Sequence, residues 1–278
     1  GGDGVDTIDG GATFFDTVDY SAEGGGGAII INLDGGAGNA VDTYGNTETV
    51  SNVENVIGTG LGDTITGSTL NNTLQGGGGN DTFYASAGDD DIQGQGHTTG
   101  DTINYTTFGG FVAGGFIGSA SSATVIKSTG GTDSITGIEE FLLSNSNDTI
   151  AVTNSAISAL ATDSIDGNAG NDTISLLEFG AADNLSDLDI DGDTLANVFV
   201  DIEEIDLSGA SLTGPDQFDM DEGDVLGIAG AGGTLTLTVA SGFDLNLTDS
   251  GGAPGNLFSG TSQTFALSNG TNIDVQVV

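Results

Sequence analysis

A nine-residue unit occurs four times in succession, without insertions, between Gly58 and Gln93. The units carry an acidic or amide residue at one fixed position, at Asp63, Asn72, Asp81 and Asp90. Two positions later each has an apolar residue, at Ile65, Leu74, Phe83 and Ile92. Both series advance by nine residues, so the segment predicts a stack of similar structural units in which each unit contacts its neighbours.

Each unit joins a glycine-rich half to a short half of the form D-x-U-x, where U is a large apolar residue. Glycine adopts positive φ angles without strain, so the first half can turn tightly. The second half predicts a short strand whose apolar side chain points inward. Stacked units can bury these side chains as a ladder, because their backbones pair at about 4.8 Å. Carbonyl and carboxylate oxygens then converge between units, and such hard ligands suit Ca²⁺.

The third unit, Gly76 to Tyr84, matches the pattern G-G-x-G-x-D-x-U-x at every fixed position. The chain therefore resembles the RTX, or haemolysin-type calcium-binding repeat, family. The resemblance implies an all-β fold, a parallel β-solenoid or calcium β-roll, in which two nonapeptides form one coil. It also implies that ligands on one edge lie two units apart. The implied pairs are Asp63 with Asp81 on one edge and Asn72 with Asp90 on the other.

Calcium ligands are expected at the acidic or amide position of each unit and at the glycines around it. The expected metal-site residues are Asp6, Asp16, Asp63, Asn72, Gly76, Gly78, Asp81, Gly88, Asp90, Asp101, Gly167 and Asp172. The motif is complete or nearly so around Asp6, Asp81 and Asp172. In the more degenerate units, an Asp that caps its own turn is the alternative. Asn72 offers an oxygen without a charge, which predicts a weaker site.

The charge balance excludes several classes of partner. The chain has 41 Asp and Glu residues against 1 Lys or Arg, Lys127, which gives a formal net charge of −40 over 278 residues. Nucleic acids and anionic membrane surfaces are bound through Lys and Arg, so both are excluded as partners. Either cations neutralise the carboxylates, or the chain is an expanded, disordered acidic linker. The 36% hydrophobic content and its regular spacing favour the folded alternative.

Metal ions are the expected stabilising element, because the chain has no Cys for disulfides or thiol ligands. Several Ca²⁺ ions are expected. Roughly six to ten ions would neutralise about 12 to 20 charges, at the ligand numbers usual for this ion. No apolar run approaches the ~18 residues of a membrane-spanning helix, so membrane insertion is not expected.

A longer repeat is superimposed on the nonapeptides. The sequence DTVDYS, from Asp16, recurs as DTINYT from Asp101, and NVENV from Asn52 recurs as GIEEF from Gly137, both at an offset of 85 residues. A third, shorter copy begins at Gly167. The chain is therefore expected to alternate tight calcium rolls with longer, irregular coils that lack the glycine-rich turn.

The C-terminal part has a different pattern. Four runs alternate polar and apolar residues with a period of two, between Thr234 and Val278, and Gly, Asn and Ser separate them. They predict an antiparallel β cap or small sandwich over the last coil. The expected domains are calcium β-roll repeats in 1–105, degenerate β-solenoid repeats in 106–210 and a C-terminal β-strand domain or cap in 211–278.

No catalytic site is expected. The pairs Glu139/Glu140 and Glu203/Glu204 could suggest a glycosidase, but adjacent residues on a strand face opposite ways and cannot flank one bond. One Glu of each pair is expected to face outward and the other to accept a hydrogen bond from a neighbouring turn. His97 is the only histidine, and without Cys or a second His it cannot complete a triad or a zinc site. It is expected to be an exposed loop residue.

These observations predict an extracellular, calcium-binding structural protein, such as a segment of a surface layer, matrix, filament or adhesin. The resemblance implies a bacterial protein exported unfolded by type I secretion, which folds on meeting extracellular Ca²⁺. Self-association into a fibre or layer and binding of an extracellular polysaccharide are further expectations. The alternative is a non-catalytic calcium-binding secretion or carbohydrate-binding module of a larger secreted enzyme.

Overall fold

The computed structural model describes residues 1–12, 15–35, 39–119, 122–153, 164–177, 199–208, 218–221, 228–229, 233–239, 245–248, 254–256, 263–266 and 272–277. The first strands are β1 (Thr7–Asp9), β2 (Thr17–Asp19), β3 (Ile30–Asn32), β4 (Ala40–Val41), β5 (Thr47–Ser51), β6 (Asn55–Ile57), β7 (Thr64–Thr66), β8 (Thr73–Gly78), β9 (Thr82–Tyr84), β10 (Asp91–Gly96), β11 (Thr102–Asn104), β12 (Val112–Ser119) and β13 (Ser122–Lys127). They are followed by β14 (Thr132–Thr136), β15 (Glu140–Leu142), β16 (Thr149–Thr153), β17 (Ser164–Asp166), β18 (Thr173–Leu177), β19 (Phe199–Val200), β20 (Glu204–Asp206), β21 (Phe218–Asp221), β22 (Thr234–Val239), β23 (Leu245–Thr248), β24 (Pro254–Asn256), β25 (Gln263–Ala266) and β26 (Asn272–Val277).

Contacts divide the chain into two compact units. The first comprises Gly1–Ala113 and Ala120–Leu142, and the second comprises Gly114–Ser119 and Leu143–Val278. The three domains expected from the sequence, with boundaries at 105 and 210, stay predictions. Within the described ranges, no helix is long and apolar enough to span a bilayer.

The first unit is built from two rows of strands. One row has the order β1-β5-β4-β3-β7-β9-β11-β15, and the other has the order β2-β6-β8-β10-β14-β13. From β6 to β11 the chain alternates between the rows at every nonapeptide, so two nonapeptides complete one coil. Pairing is parallel along this stretch, with Thr64 opposite Thr82 and Thr73 opposite Asp91. The predicted parallel β-solenoid is confirmed.

Two apolar ladders hold the coils of the first unit together. In one row, Ile65, Phe83, Ile103 and Phe141 are direct neighbours on successive parallel strands. In the other row, Val56, Leu74, Ile92 and Ile135 are arranged in the same way. All eight side chains are at most 1% exposed. The nine-residue spacing of apolar residues therefore becomes a continuous core.

The 85-residue repeat is visible in the first unit as equivalent hydrogen bonds. The amide of Tyr20 donates to Ile57 O at 2.9 Å, and that of Tyr105 donates to Leu142 O at 2.8 Å. Thr17 lies opposite Asn55 and Thr102 opposite Glu140, each pair 38 residues apart. The longer coils thus keep the same strand pairing as the nonapeptides while spanning about twice as many residues.

The second unit contains the same kind of ladder. Strands β16, β18, β20, β22 and β26 pair in parallel in this order. Their central residues, Ile150, Ile174, Ile205, Leu237 and Val275, are neighbours across the row and are 0% exposed. Here the spacing between paired residues is 24 from Ile150 to Ile174 and 31 from Ile174 to Ile205.

The C-terminal prediction was partly wrong. Strands form in all four alternating runs, as β22, β23, β25 and β26. Strand β25 pairs antiparallel with β26, and β23 with β24. Strand β22, however, pairs in parallel with both β20 and β26. Alternation shows which side chains share a face, but it carries no information on strand direction.

Candidate calcium sites

The candidate ligands are placed by the strands that follow them. Asp63, Asp81 and Asp101 each stand directly before a strand of one row, at the N-terminal ends of β7, β9 and β11. Because these strands are parallel and in register, the three residues form a column along one edge. On the other edge Asn72 and Asp90 precede β8 and β10 in the same way.

Hydrogen bonds from backbone amides to carboxylates connect successive residues of the column. The amide of Asp63 donates to Asp81 Oδ1 at 2.7 Å, and the amide of Asp81 donates to Asp101 Oδ1 at 2.7 Å. The amide of Asp101 donates to Glu139 Oε2 at 2.8 Å. In the second unit Asp148 and Asp172 repeat this contact, with N to Oδ1 at 2.7 Å. Each such bond uses only one oxygen of a carboxylate.

Several second oxygens are buried without a hydrogen-bond partner. Among the described residues, the unpartnered buried carboxylate oxygens are Asp16 Oδ2, Glu48 Oε1, Asp81 Oδ2, Asp101 Oδ2 and Asp172 Oδ2. A buried carboxylate oxygen with no donor is costly, because desolvation is not offset by a hydrogen bond. A cation bound at these oxygens would remove that cost.

At three glycines, these carboxylate oxygens lie where a Cβ would otherwise stand. A Cβ at Gly76 would collide with Asp81 Oδ2, and one at Gly94 would collide with both Asp101 Oδ2 and the carbonyl oxygen of Gly137. In the second unit, a Cβ at Gly167 would lie 2.7 Å from Asp172 Oδ2 and would also collide with a backbone carbonyl. At Gly94 and Gly167, a carbonyl oxygen and a carboxylate oxygen thus converge on one glycine-sized space, and this donor set fits Ca²⁺.

Not every predicted ligand has a free oxygen. The two carboxylate oxygens of Asp63 accept hydrogen bonds from Ile29 N and from the amide and hydroxyl of Thr59. Asn72 Oδ1 accepts from Ser68 N at 2.6 Å, and its Nδ2 donates to Glu54 O at 2.8 Å. The neutral side-chain amide of Asn72 therefore binds the carbonyl oxygen of Glu54 directly through its N–H group. A carboxylate at this position would need a cation to make the same link.

The remaining predicted residues surround these sites. Gly78 has space for a Cβ, with the nearest atom at 3.5 Å, whereas Gly88 has a φ of +107° and no space beside Leu70. Asp6 Oδ2 faces Gly1, and Asp16 Cβ lies beside Gly10. Calcium ligation by any individual residue stays a prediction.

Burial raises the pKa of several buried carboxyl groups, in the column and elsewhere. It raises the pKa of Asp81 to about 7 and that of Asp172 to about 7. It raises the pKa of Asp133 to about 6, although the charge of Lys127 acts in the opposite direction. The pKa of Asp101 is raised for the same reason, with the carboxylate's hydrogen bond from Asp81 N opposing the change. Without a cation, the fold thus favours protonated carboxyl groups.

The glutamate pairs behave largely as the sequence predicted. Glu139 and Glu203 each accept a hydrogen bond at 2.8 Å from the amide of a column Asp, Asp101 and Asp172 respectively. Their neighbours Glu140 and Glu204 lie on the half-buried face and accept from Thr hydroxyls. The Glu of each pair that contacts a turn is therefore part of the carboxylate column, which was not foreseen.

His97 is exposed, as expected, but it lies beside the column. Its Nδ1 is 3.2 Å from Glu139 Oε2 and 3.7 Å from Asp101 Oδ2. The three ligand atoms lie within 4.8 Å of one another, which is a spacing that could hold a metal ion. The sequence could not place His97 here because the loop between β10 and β11 adds two residues to the nonapeptide period.

Comparison with known families agrees with this geometry. A family model described as the RTX calcium-binding nonapeptide repeat, in 4 copies, matches residues 57–94 and 161–177. The chain carries RTX calcium-binding nonapeptide repeats. These two matches cover the uninterrupted block and the unit around Asp172, while Asp6, Asp16 and Asp101 lie outside them. RTX repeats bind Ca²⁺, so the predicted cofactor is supported. No curated protein matches the chain.

Proposed function

We propose that this chain is an extracellular structural protein whose β-solenoid forms when Ca²⁺ binds its carboxylate columns. The observation that carries the proposal is the set of buried carboxylate oxygens without hydrogen-bond partners, four of which, on Glu48, Asp81, Asp101 and Asp172, face a glycine. Eleven carboxylates are buried among the described residues: Asp42, Glu48, Glu54, Asp63, Asp81, Asp90, Asp101, Asp133, Glu139, Asp148 and Asp172. Only one Lys or Arg exists to pair with them, so folding with these carboxylates ionised requires another source of positive charge.

Cation binding is then coupled to folding. In the calcium-free chain the carboxylates repel one another, and in the calcium-bound chain the ions join neighbouring coils. Asp81, Asp101 and Asp172 would hold ions together with backbone carbonyls. RTX repeats are typical of secreted bacterial proteins, which supports an extracellular location and an export route for an unfolded chain. Assembly into a fibre or layer and binding of a polysaccharide stay predictions from the sequence.

Far-UV circular dichroism in EDTA and in millimolar Ca²⁺ tests the proposal. We expect a coil spectrum in chelator and a β spectrum after Ca²⁺ is added, with Mg²⁺ at the same concentration less effective because it prefers a small octahedral site. A β spectrum that is unchanged by chelator would contradict calcium-coupled folding.

A further inference from the structure

Lys127, the only lysine, lies inside a carboxylate cluster of the first unit. Its Nζ donates to Asp133 Oδ1 at 2.5 Å, to the carbonyl oxygen of Ser86 at 2.6 Å and to Asp90 Oδ2 at 3.3 Å. The side chain is 0% exposed. Two carboxylates and one carbonyl therefore surround this ammonium, and they are the same kinds of oxygen that bind Ca²⁺.

The same cluster occurs one long repeat earlier without the lysine. Asp90 precedes β10, which pairs with β14, and Asp133 lies opposite on β14. In the first copy Asp6 precedes β1, which pairs with β5, and Glu48 lies opposite on β5. The tyrosine hydroxyls correspond as well. Tyr105 donates to Asp133 Oδ2 at 2.9 Å, and its counterpart 85 residues earlier, Tyr20, donates to Glu48 Oε2 at 3.1 Å.

The residue at the position of Lys127 in the first copy is Asp42. The amide of Asp42 donates to Asn46 O at 3.0 Å, as the amide of Lys127 donates to Gly131 O at 2.9 Å. The Asp42 carboxylate accepts hydrogen bonds from the amides of Tyr44 and Asn46, within its own turn. No basic side chain thus enters the first cluster.

The first cluster has an open cation position instead. Glu48 is 0% exposed, and its Oε1 has no hydrogen-bond partner. A Cβ at Gly1 would lie 2.5 Å from this oxygen and 2.8 Å from Asp6 Oδ2, so both oxygens face one small space. Burial raises the pKa of Glu48; the hydrogen bond from Tyr20 and the charge of the N-terminal ammonium oppose this change, and the charges of Asp42 and Glu23 reinforce it. The cluster has no basic side chain to balance Asp6 and Glu48.

We propose that Lys127 replaces one Ca²⁺ ion of the solenoid. Its ammonium group lies between Asp90 and Asp133, and at the equivalent position of the first copy a Ca²⁺ ion binds between Asp6 and Glu48. The first position lies outside the matched RTX repeats, and Glu48 is its newly assigned ligand. The only histidine stands in a related place, between Asp101 and Glu139, whereas neither basic side chain pairs with the equivalent Asp16. Both basic side chains of this unit thus lie in the second copy.

The inference rests on the proposed calcium-binding function and is tested by counting bound Ca²⁺ with native mass spectrometry and equilibrium dialysis. Lys127→Ala opens the second cluster and is expected to bind one more ion than the wild type. Glu48→Gln removes the charge from the first cluster and is expected to bind one fewer. Lys127→Met fills the ammonium position without a charge, so its count should equal that of the wild type.

The α-ammonium of Gly1 is 4.0 Å from Glu23 Oε1, so all four proteins carry a short N-terminal extension that moves this charge away. A wild type that binds no Ca²⁺ would refute the proposed function itself. A calcium-binding wild type whose count is unchanged by Lys127→Ala, or by Glu48→Gln, would refute only the substitution. Failure of Lys127→Ala to fold at millimolar Ca²⁺ would refute it too, because the ion would not then replace the ammonium.

Discussion

Replacing Gly76 by Ala adds a single methyl group to the space beside Asp81. The new Cβ would lie within contact distance of three atoms of the Asp81 side chain, so the carboxylate has to move away. Gly76 does not have a positive φ, so the backbone itself accepts Ala without strain. The substitution therefore acts on the cation space rather than on the turn.

The expected cost follows from losing one bound ion. At a Ca²⁺ concentration about a hundred times the Kd of the site, the bound ion contributes about 2.7 kcal/mol to the free energy of unfolding. For a unit of this size, that loss lowers Tm by roughly 5 to 10 °C. Native mass spectrometry should also count one Ca²⁺ fewer than in the wild type.

Gly60→Ala is the matched control, in the nonapeptide two units earlier, whose strand pairs with that of the Gly76 unit. A Cβ at Gly60 meets no atom within 4 Å, and its φ is not positive. We expect an unchanged ion count and a stability equal to or up to about 1 kcal/mol above that of the wild type, because Ala restricts the unfolded chain. If Gly76→Ala binds as many Ca²⁺ ions as the wild type and has the same Tm as Gly60→Ala, the proposed cation site beside Gly76 is wrong.

Two further predictions concern the calcium-free fold and the core. Since burial raises the pKa of Asp81 and of Asp172 to about 7, the folded chain binds more protons than the unfolded one, and this stabilisation is lost as the pH rises through about 7. In calcium-free buffer, far-UV circular dichroism should thus show more residual β structure at pH 5 than at pH 8, where the coil spectrum is expected. Asp81→Asn should reduce this difference, and an unaltered difference would argue against a raised pKa of the buried Asp81 carboxyl. Phe83→Ala should lower the free energy of unfolding by about 3 to 5 kcal/mol in saturating Ca²⁺, because Phe83 is 0% exposed between Ile65 and Ile103. Leu61→Ala, at a residue that is 45% exposed, is the control and should change it by less than about 0.5 kcal/mol; equal losses would show that the ladder is not the core.

The nonapeptide spacing was sufficient to predict the solenoid and its ladders. A period of nine in Ile65, Leu74, Phe83 and Ile92 fixes which side chains face inward, and stacking two units per coil brings Ile65 to Phe83 and Leu74 to Ile92. The direction of β22 could not be predicted in the same way, because its pairing partners β20 and β26 lie far away in sequence. Alternation is equally compatible with parallel and antiparallel neighbours.

The site was predicted only where glycine marks it. Asp81 and Asp172 lie in units with the glycine-rich turn, and the structure places buried, unpartnered oxygens there. Glu48 and Asp133 lie within strands that have no such turn, so local sequence gave no reason to select them. The signal that links them is the 85-residue offset, which also relates Tyr20 to Tyr105. Only the folded structure shows that each tyrosine points at its carboxylate.

The hydrogen bonds along the Asp63, Asp81 and Asp101 column make neighbouring positions depend on one another. Each carboxylate is oriented by an amide of the adjacent coil, at 2.7 Å in both steps. An ion that orders one coil therefore positions the ligand of the next, so later ions bind to a partly organised site and lose less conformational entropy. Folding should then propagate along the column like a zipper, with a steep, cooperative response to Ca²⁺ rather than a series of independent binding events.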